Sequence, residues 1–277
     1  MTRAAPTLSA AARAFDAVAP AFDARFGEWR SVSAQRAAVR GALVRAFPAG
    51  ARLLELGGGT GEDARWLAER GREVLVTDAS PAMVEAATRK LRGLAVPAPR
   101  VCDAARLGML ADERDASGAP PFDGVYSNFA ALNCVDDLGA VGPALGRLVR
   151  PGGRAMLVLF GTCPPGEVLV QLVRRDRAAA VRRLHRGPVP ARLGGHEFTV
   201  RYHRHRDVRA AFAPWFRLVA RRGIGVCVPP SAAEPWISRH PALLGALRRA
   251  DRLVSRPLAA LGDHVLYELV RTPEHAA

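Results

Sequence analysis

Lysine is almost missing from this sequence: of its 40 basic residues, Lys90 is the only one that is not arginine. Cysteine is scarce too. Cys102, Cys134, Cys163 and Cys227 stand 32, 29 and 64 residues apart, so there is no CxxC spacing to hold a zinc ribbon or an iron–sulfur cluster. So few cysteines in 277 residues do not make a disulfide framework, and free, buried thiols are expected. No apolar run approaches the roughly 20 residues that span a bilayer; the richest stretches are broken by Arg, Gly or Pro. The N-terminal stretch carries Asp16 and Asp23 and has no continuous apolar core, so it does not read as a secretory signal. A cytoplasmic protein is the expectation. What is present is ordinary for a globular chain, 49% hydrophobic and 24% charged, and long enough for a core without staples.

Charge is unevenly spread. Residues 1–160 hold 20 basic and 17 acidic side chains, whereas residues 161–277 hold 20 and 9. All seven histidines follow residue 160. The second part therefore favours anionic partners.

The pattern between residues 50 and 160 is β-α-β-α. Helices are expected over 7–18 and 31–47, the second ended by Pro48 and Gly50. Arg52–Leu56 reads as a buried strand, followed by a glycine turn and a helix from Glu62 to Arg70. A second strand, Glu73–Thr77, ends at Asp78; Ser80 and Pro81 fit the N-cap and first position of the next helix, running to about Arg92. Such alternation implies a parallel, doubly wound sheet. Glu55, Gly57, Gly59 and Gly61 form E-x-G-x-G-x-G between strand and helix. Glycines permit a tight turn and close approach of a ligand, and the helix that follows aims its N–H groups at it. Asp78, 17 residues past Gly61, stands where an acid can accept hydrogen bonds from both hydroxyls of a ribose.

The turn Gly57-Gly58-Gly59-Thr60-Gly61 is spaced G-x-G-x-G, unlike the G-x-G-x-x-G of dinucleotide-binding dehydrogenases. It resembles motif I of the class I S-adenosylmethionine-dependent methyltransferases. Four more segments resemble that family in order: VTDASPAMVEAA (76–87), VCDAARL (101–107), FDGVYSNFAALNCV (122–135) and LVRPGGRAMLVLF (148–160). The resemblance implies an α/β fold, a Rossmann-like doubly wound, seven-stranded, mostly parallel sheet with helical lid insertions. It implies S-adenosyl-L-methionine as cofactor and S-adenosyl-L-homocysteine as product. Glu55, Gly57, Gly58, Gly59 and Gly61 would make room for the methionine part, and Asp78 with Ala79 would hold the ribose. Met83 would lie near the adenine, Asp103 and Ala104 at its amine, and Asn128 at the strand tip facing the methyl donor. The fourth segment reads Ser127-Asn128-Phe129, not the N-P-P-Y of many adenine and glutamine N-methyltransferases, which argues against those substrates. The leader AFDAVAPAFDARF resembles that of small-molecule methyltransferases, where a helix folds over the cofactor, but Phe15 and Phe22 replace the Tyr often found there.

Three regions follow: N-terminal cap helices (1–50), a cofactor-binding core (51–160), and substrate-lid insertions with the closing strands of the same sheet (161–277). Within the last, 164–186 reads as one or two basic helices, 195–205 as an exposed strand, 206–213 as a short helix, 216–228 as a sixth strand, 236–260 as helical and 264–271 as a closing strand. His196 and His203 are the candidate general bases, since alternation puts them on opposite strand faces; half-buried polar roles are the competing reading. Asn133, Tyr202 and Trp236 are candidate substrate contacts, the aromatics also fitting a core. The histidine spacing matches no standard metal cluster. Arg pairs 174/175 and 182/183 can bind a phosphate, a carboxylate, a membrane surface or RNA, or be a solvated face. No RNA-binding module accompanies them. The expected activity is methyl transfer to a small molecule, anionic acceptors included. The alternatives are an RNA or protein methyltransferase docking through the Arg-rich half, or a cofactor-binding enzyme with other chemistry.

Overall fold

The computed structural model describes residues 8–27 and 29–273. Three helices lead the chain: α1 (Ala10–Val18), α2 (Phe22–Gly27) and α3 (Arg30–Ala46). Ser9 starts α1 by accepting a hydrogen bond from the amide of Ala12. The expected start at residue 7 lies outside the described residues. Phe47, ahead of Pro48, is extended and ends α3, because the residue before proline is pushed out of the helical region.

The core alternates as the pattern implies: β1 (Arg52–Leu56), α4 (Glu62–Ala68), β2 (Glu73–Asp78), α5 (Pro81–Lys90), β3 (Arg100–Val101), α6 (Leu107–Ala116), β4 (Phe122–Ser127), α7 (Val141–Leu148) and β5 (Val149–Phe160). The remainder adds α8 (Pro165–Val173), α9 (Arg177–Val181), β6 (Pro188–Leu193), β7 (His196–Arg201), α10 (His205–Phe212), β8 (Phe216–Ile224), α11 (Pro241–Val254) and β9 (His264–Arg271). Seven strands form one sheet in the order β3-β2-β1-β4-β5-β9-β8. The first five are parallel; β9 runs antiparallel between β5 and β8. Successive residues point to opposite faces. Leu54, Leu56, Val125 and Leu157 join one apolar layer under α6 and α7, while Leu53, Val74, Val76 and Met156 join the other against α3 and α4. The chain crosses one way from β1 to β2 and β3, then returns to place β4 on the other side of β1. The crevice beyond the carboxyl ends of β1 and β4 is where such sheets take ligands.

The exposed strand expected over 195–205 is the second arm of a separate hairpin, β6–β7, and ends at Arg201. Its first arm went unread because Pro188 and Pro190 discourage a strand assignment. Gly194 and Gly195, at φ +56° and +82°, make the tight turn. The hairpin lies on α1: Phe15 meets Phe198 at 6.0 Å, and a Cβ on Gly194 would come within 2.6 Å of Val18. The other insertion packs α11 on α3 through Leu244, Ile237 and Ala34. The stretch 236–260, expected to be mostly helical, holds α11 with short 3-10 turns at Ile237–Arg239 and Ala259–Leu261 on either side. The four thiols are free, but Cys163 is exposed and the other three are half-buried, not buried. Among the described residues, no helix is long and apolar enough to cross a membrane.

Candidate functional site

The turn after β1 is shaped by what its neighbours leave room for. Gly57, Gly59 and Gly61 all take positive φ. A Cβ on Gly57 would sit 2.3 Å from that of Ala131, and one on Gly58 would strike Val76 at 2.6 Å and a carboxylate oxygen of Glu55 at 2.7 Å. The turn thus presents bare backbone at the crevice. Below it, Glu55 is buried, and its Oε2 has no hydrogen-bond partner among the described residues. Burial first, and Asp63 second, hold its carboxyl well above the usual range. Burial favours the neutral acid, and a cationic group of a ligand seated on the cradle would draw it into the ionised form.

Asp78 ends β2 facing the same turn. Its Oδ2 accepts from the amide of Gly59 at 2.8 Å and its Oδ1 from that of Ser80 at 2.9 Å. Burial and, further down, the charge of Asp103 push its carboxyl up, against the pull of those amides. Each oxygen keeps a lone pair for a hydroxyl. Ala79 follows, half-exposed. Met83, expected near an adenine, is fully buried, and its sulfur lies below Gly59. Asp103 caps the short turn that Ala104 opens, accepting from the amide of Ala105 at 2.9 Å.

Two acids of the leading helices reach over this crevice. Asp16 of α1 accepts from the Ser80 hydroxyl at 2.8 Å and from the Ala82 amide at 2.9 Å, at the amino end of α5 where the helix dipole favours an anion. Asp23 of α2 takes a hydrogen bond from Thr60, inside the glycine turn, and pairs with Lys90. The leader is therefore a strap tied to both turns of the crevice. Only its general position was legible in the sequence.

At the tip of β4, Asn128 donates to Asp63 at 2.8 Å and accepts from the Phe129 amide at 2.8 Å. Asp63 also holds Arg36 and Arg40, and the Arg36 guanidinium lies 4.7 Å from the Phe129 ring centre. Asn133, a candidate substrate contact, spends its amide on backbone: it donates to the Arg201 carbonyl at 2.6 Å and accepts from the Phe160 amide at 3.0 Å. It ties β5 and β7 to the turn after β4.

The candidate bases separate. His196 is exposed beside the hairpin turn. His203 is buried, its Nε2 unpartnered among the described residues. Burial, then Arg201, lowers its affinity for a proton, so it stays neutral at neutral pH. Trp236 is exposed, its ring 4.7 Å from that of His240, on the segment that packs against α3. Tyr202 is buried, its ring 5.7 Å from that of Phe160.

That contact leads to a cluster the sequence reading missed. His264, the first residue of β9, is in register with Phe160, the last of β5. Its imidazole stacks on Phe160 at 5.0 Å and meets the edge of Phe129 at 6.0 Å. Its Nδ1 lies 3.3 Å from Asp263 Oδ2. Asp263 is buried and receives hydrogen bonds from Gln35 of α3 at 3.2 Å and from Arg183 at 2.8 Å. His264, the Arg183 guanidinium and the Gln35 hydrogen bond hold its carboxyl far below the usual range despite burial. Arg183 also pairs with buried Glu167 and lies over the Phe160 ring. A carboxylate that stays ionised far into acid thus lies beside an imidazole whose Nε2 has no hydrogen bond among the described residues. The one signal available was Asp263-His264 opening a strand that must end beside the strand tips.

Residues 54–155 match a family model described as a methyltransferase domain. Over 137 residues the chain is 34% identical to demethylmenaquinone methyltransferase of Clavibacter sepedonicus, covering 46% of this chain and 46% of that protein. The chain thus spans about half the length of that curated relative. A structure described as a putative S-adenosylmethionine-dependent methyltransferase from Listeria monocytogenes superposes with TM-score 0.55 at 15% identity, over 86% of this chain and 99% of the other. Geranyl diphosphate C-methyltransferase from Streptomyces coelicolor, in complex with geranyl diphosphate, Mg2+ and S-adenosyl-L-homocysteine, gives 0.50 at 16% identity, over 86% and 79%.

Proposed function

With residues 54–155 a methyltransferase domain on the class I, S-adenosylmethionine-dependent fold, we propose that the chain methylates a small-molecule acceptor, and that His264 removes the acceptor's proton. The observation that carries this is the Asp263–His264 pair seated at the tips of β5 and β9, beside Phe129 at the tip of β4. S-adenosylmethionine supplies, when bound, a sulfonium methyl that an acceptor's lone pair attacks in line, the electron pair of the broken bond staying on sulfur.

The chain's residues do the rest. The backbone of Gly57, Gly58 and Gly59 receives the methionine part, with Glu55 available to its ammonium. Asp78 accepts from the ribose hydroxyls, Asp103 and Ala104 stand at the adenine, and Met83 supports the turn from below. Asn128 fixes the strand tip through Asp63. His264 takes the acceptor's proton on Nε2 while Asp263 stabilises the imidazolium that forms. Phe129, Phe160 and Tyr202 exclude water from the reacting atoms and orient the acceptor. In this reading residues 1–50 are the cap, 51–160 the cofactor core, and 161–277 the lid with the closing strands. An anionic acceptor agrees with the arginine excess of that last region, and the geranyl diphosphate enzyme is a precedent for one on this fold.

Methyl-labelled S-adenosylmethionine incubated with the protein and a fractionated cell extract tests this, with Asp78→Ala as the control. Label in small molecules or lipids, lost in the variant, supports the reading. Label in RNA or protein overturns it.

A further inference from the structure

Helix α8 turns polar residues inward and much of its apolar side outward, although Val170 packs on the cluster of Leu244 and Ile237. The helix buries Glu167 and Gln171, one turn apart, at 3% and 8% exposure. Its apolar residues Leu169, Leu172 and Val173, also at helical spacing, stand 64%, 50% and 76% exposed. A soluble helix does the reverse. The orientation is fixed from within, since Glu167 pairs with Arg182 and with buried Arg183, and Arg183 holds Asp263. Rotating α8 to hide its leucines would pull Glu167 out of that network. Val181 of α9 and Leu184 just after it extend the exposed apolar surface on the neighbouring helix.

The rim of this surface is mainly cationic. Arg174, Arg175, Arg177, Arg182 and Arg186 are all exposed around it. Of the two acids in the segment, Glu167 is buried, and Asp176 is exposed and caps α9 through the amide of Ala179. We propose that the α8–α9 face docks on an anionic lipid bilayer, its Leu and Val side chains entering the headgroup boundary and its arginines contacting lipid phosphates.

Apolar residues ringed by arginine are what an interfacial helix needs, because burial and charge attraction act at the same depth. A second copy of the chain fits poorly, since a two-fold contact through this face would set the same arginines against each other. An RNA backbone would meet leucine and valine at the centre, where it needs stacking aromatics or cations. The proposal is independent of the methyl-transfer reading, but it would bring the Arg183–Asp263–His264 network close to acceptors carried in a membrane.

The test is co-sedimentation of the full chain with vesicles of phosphatidylcholine alone or mixed with phosphatidylglycerol, at low and high salt. Binding is expected to the mixed vesicles, weaker to the neutral ones, and reduced by salt. Arg175→Gln with Arg177→Gln should lower the partition coefficient about thirtyfold. Leu172→Asp with Val173→Asp should abolish binding. These side chains are exposed and outside the crevice, so both variants should bind S-adenosyl-L-homocysteine as the parent does, which separates lost docking from lost folding. Failure to sediment with the mixed vesicles overturns the proposal. So does equal, salt-independent binding to both vesicle types, or a dimer in solution that Leu172→Asp with Val173→Asp makes monomeric, which would make the face a self-interface.

Discussion

His264 Nδ1 lies 3.3 Å from a carboxylate oxygen of Asp263, and the other oxygen of that carboxylate is held by Arg183 from 2.8 Å. The pair sets the Nδ1 edge of the imidazole toward Asp263 and turns Nε2 away from it. His264→Gln should lower kcat by about two to four orders of magnitude while leaving the affinity for S-adenosyl-L-homocysteine unchanged. Calorimetric titration alongside turnover separates the two. A kcat within a few-fold of the parent would remove His264 from the reaction.

Asp263→Asn tests the support beneath it. The carboxyl is depressed in the folded state, so its contribution is present above the unfolded value near 3.9 and is lost only as pH falls through the lower folded value. Removing the charge at neutral pH leaves Arg183 with Glu167 as its remaining carboxylate partner. A loss of about 1–3 kcal/mol in denaturant unfolding is expected. The gap between variant and parent should close in strong acid.

Asp78 has the opposite shift. Burial raises its carboxyl above 3.8, so the ionised form that would accept from two hydroxyls in the proposed role is lost earlier on acidification than in an ordinary aspartate. The affinity for S-adenosyl-L-homocysteine should fall as pH drops through that raised value, and Asp78→Asn should flatten the fall. At neutral pH Asp78→Ala should cost about 3 kcal/mol, two charge-assisted hydrogen bonds. The same acid limb in Asp78→Asn would show that another group titrates.

Gly57→Ala puts a methyl where φ is +63° and where Ala131 stands 2.3 Å from the new atom. Left-handed strain and overlap together predict about 2–5 kcal/mol of destabilisation. Thermal unfolding reads it directly. Gly118→Ala, at φ +63° in open space, should cost only the strain and serves as the reference.

His203 contributes to the pH dependence of stability. It faces Arg201, Asp207 and the carbonyls of Leu132 and Val135, and its proton affinity is lowered in the fold. The unfolded chain therefore binds the extra proton first, and stability should decline as pH falls below about 6.5. His203→Gln should weaken that decline in urea melts between neutral and mildly acidic pH.

Local chemistry made much of this legible. The Leu-rich strand, the spaced glycines, Asp78 and the Ser80–Pro81 helix start each speak through neighbours within a few residues, and they are found where the pattern puts them. What escaped depends on partners far away in the chain. Asn133 reads as a crevice amide until Arg201 and Phe160 arrive to use both its groups. His264 reads as a strand residue until β9 takes its register against β5 and Gln35 reaches Asp263 across 228 positions. The hairpin was half missed because proline on an isolated two-stranded ribbon breaks no ladder that a larger sheet would need.

The seat of β9 has a consequence for biosynthesis. Among the described residues β8 pairs only with β9, and β9 is the last of the seven strands to be made. While the chain is still on the ribosome, residues 52–160 can close five parallel strands and shape the glycine turn. The outer strand, by contrast, has nothing to pair with until residues 264–271 emerge. The same event delivers His264 to Phe160. A nascent chain can therefore acquire the crevice at its glycine turn before the side of it that His264 lines, and a chain stalled between the two would carry the first without the second.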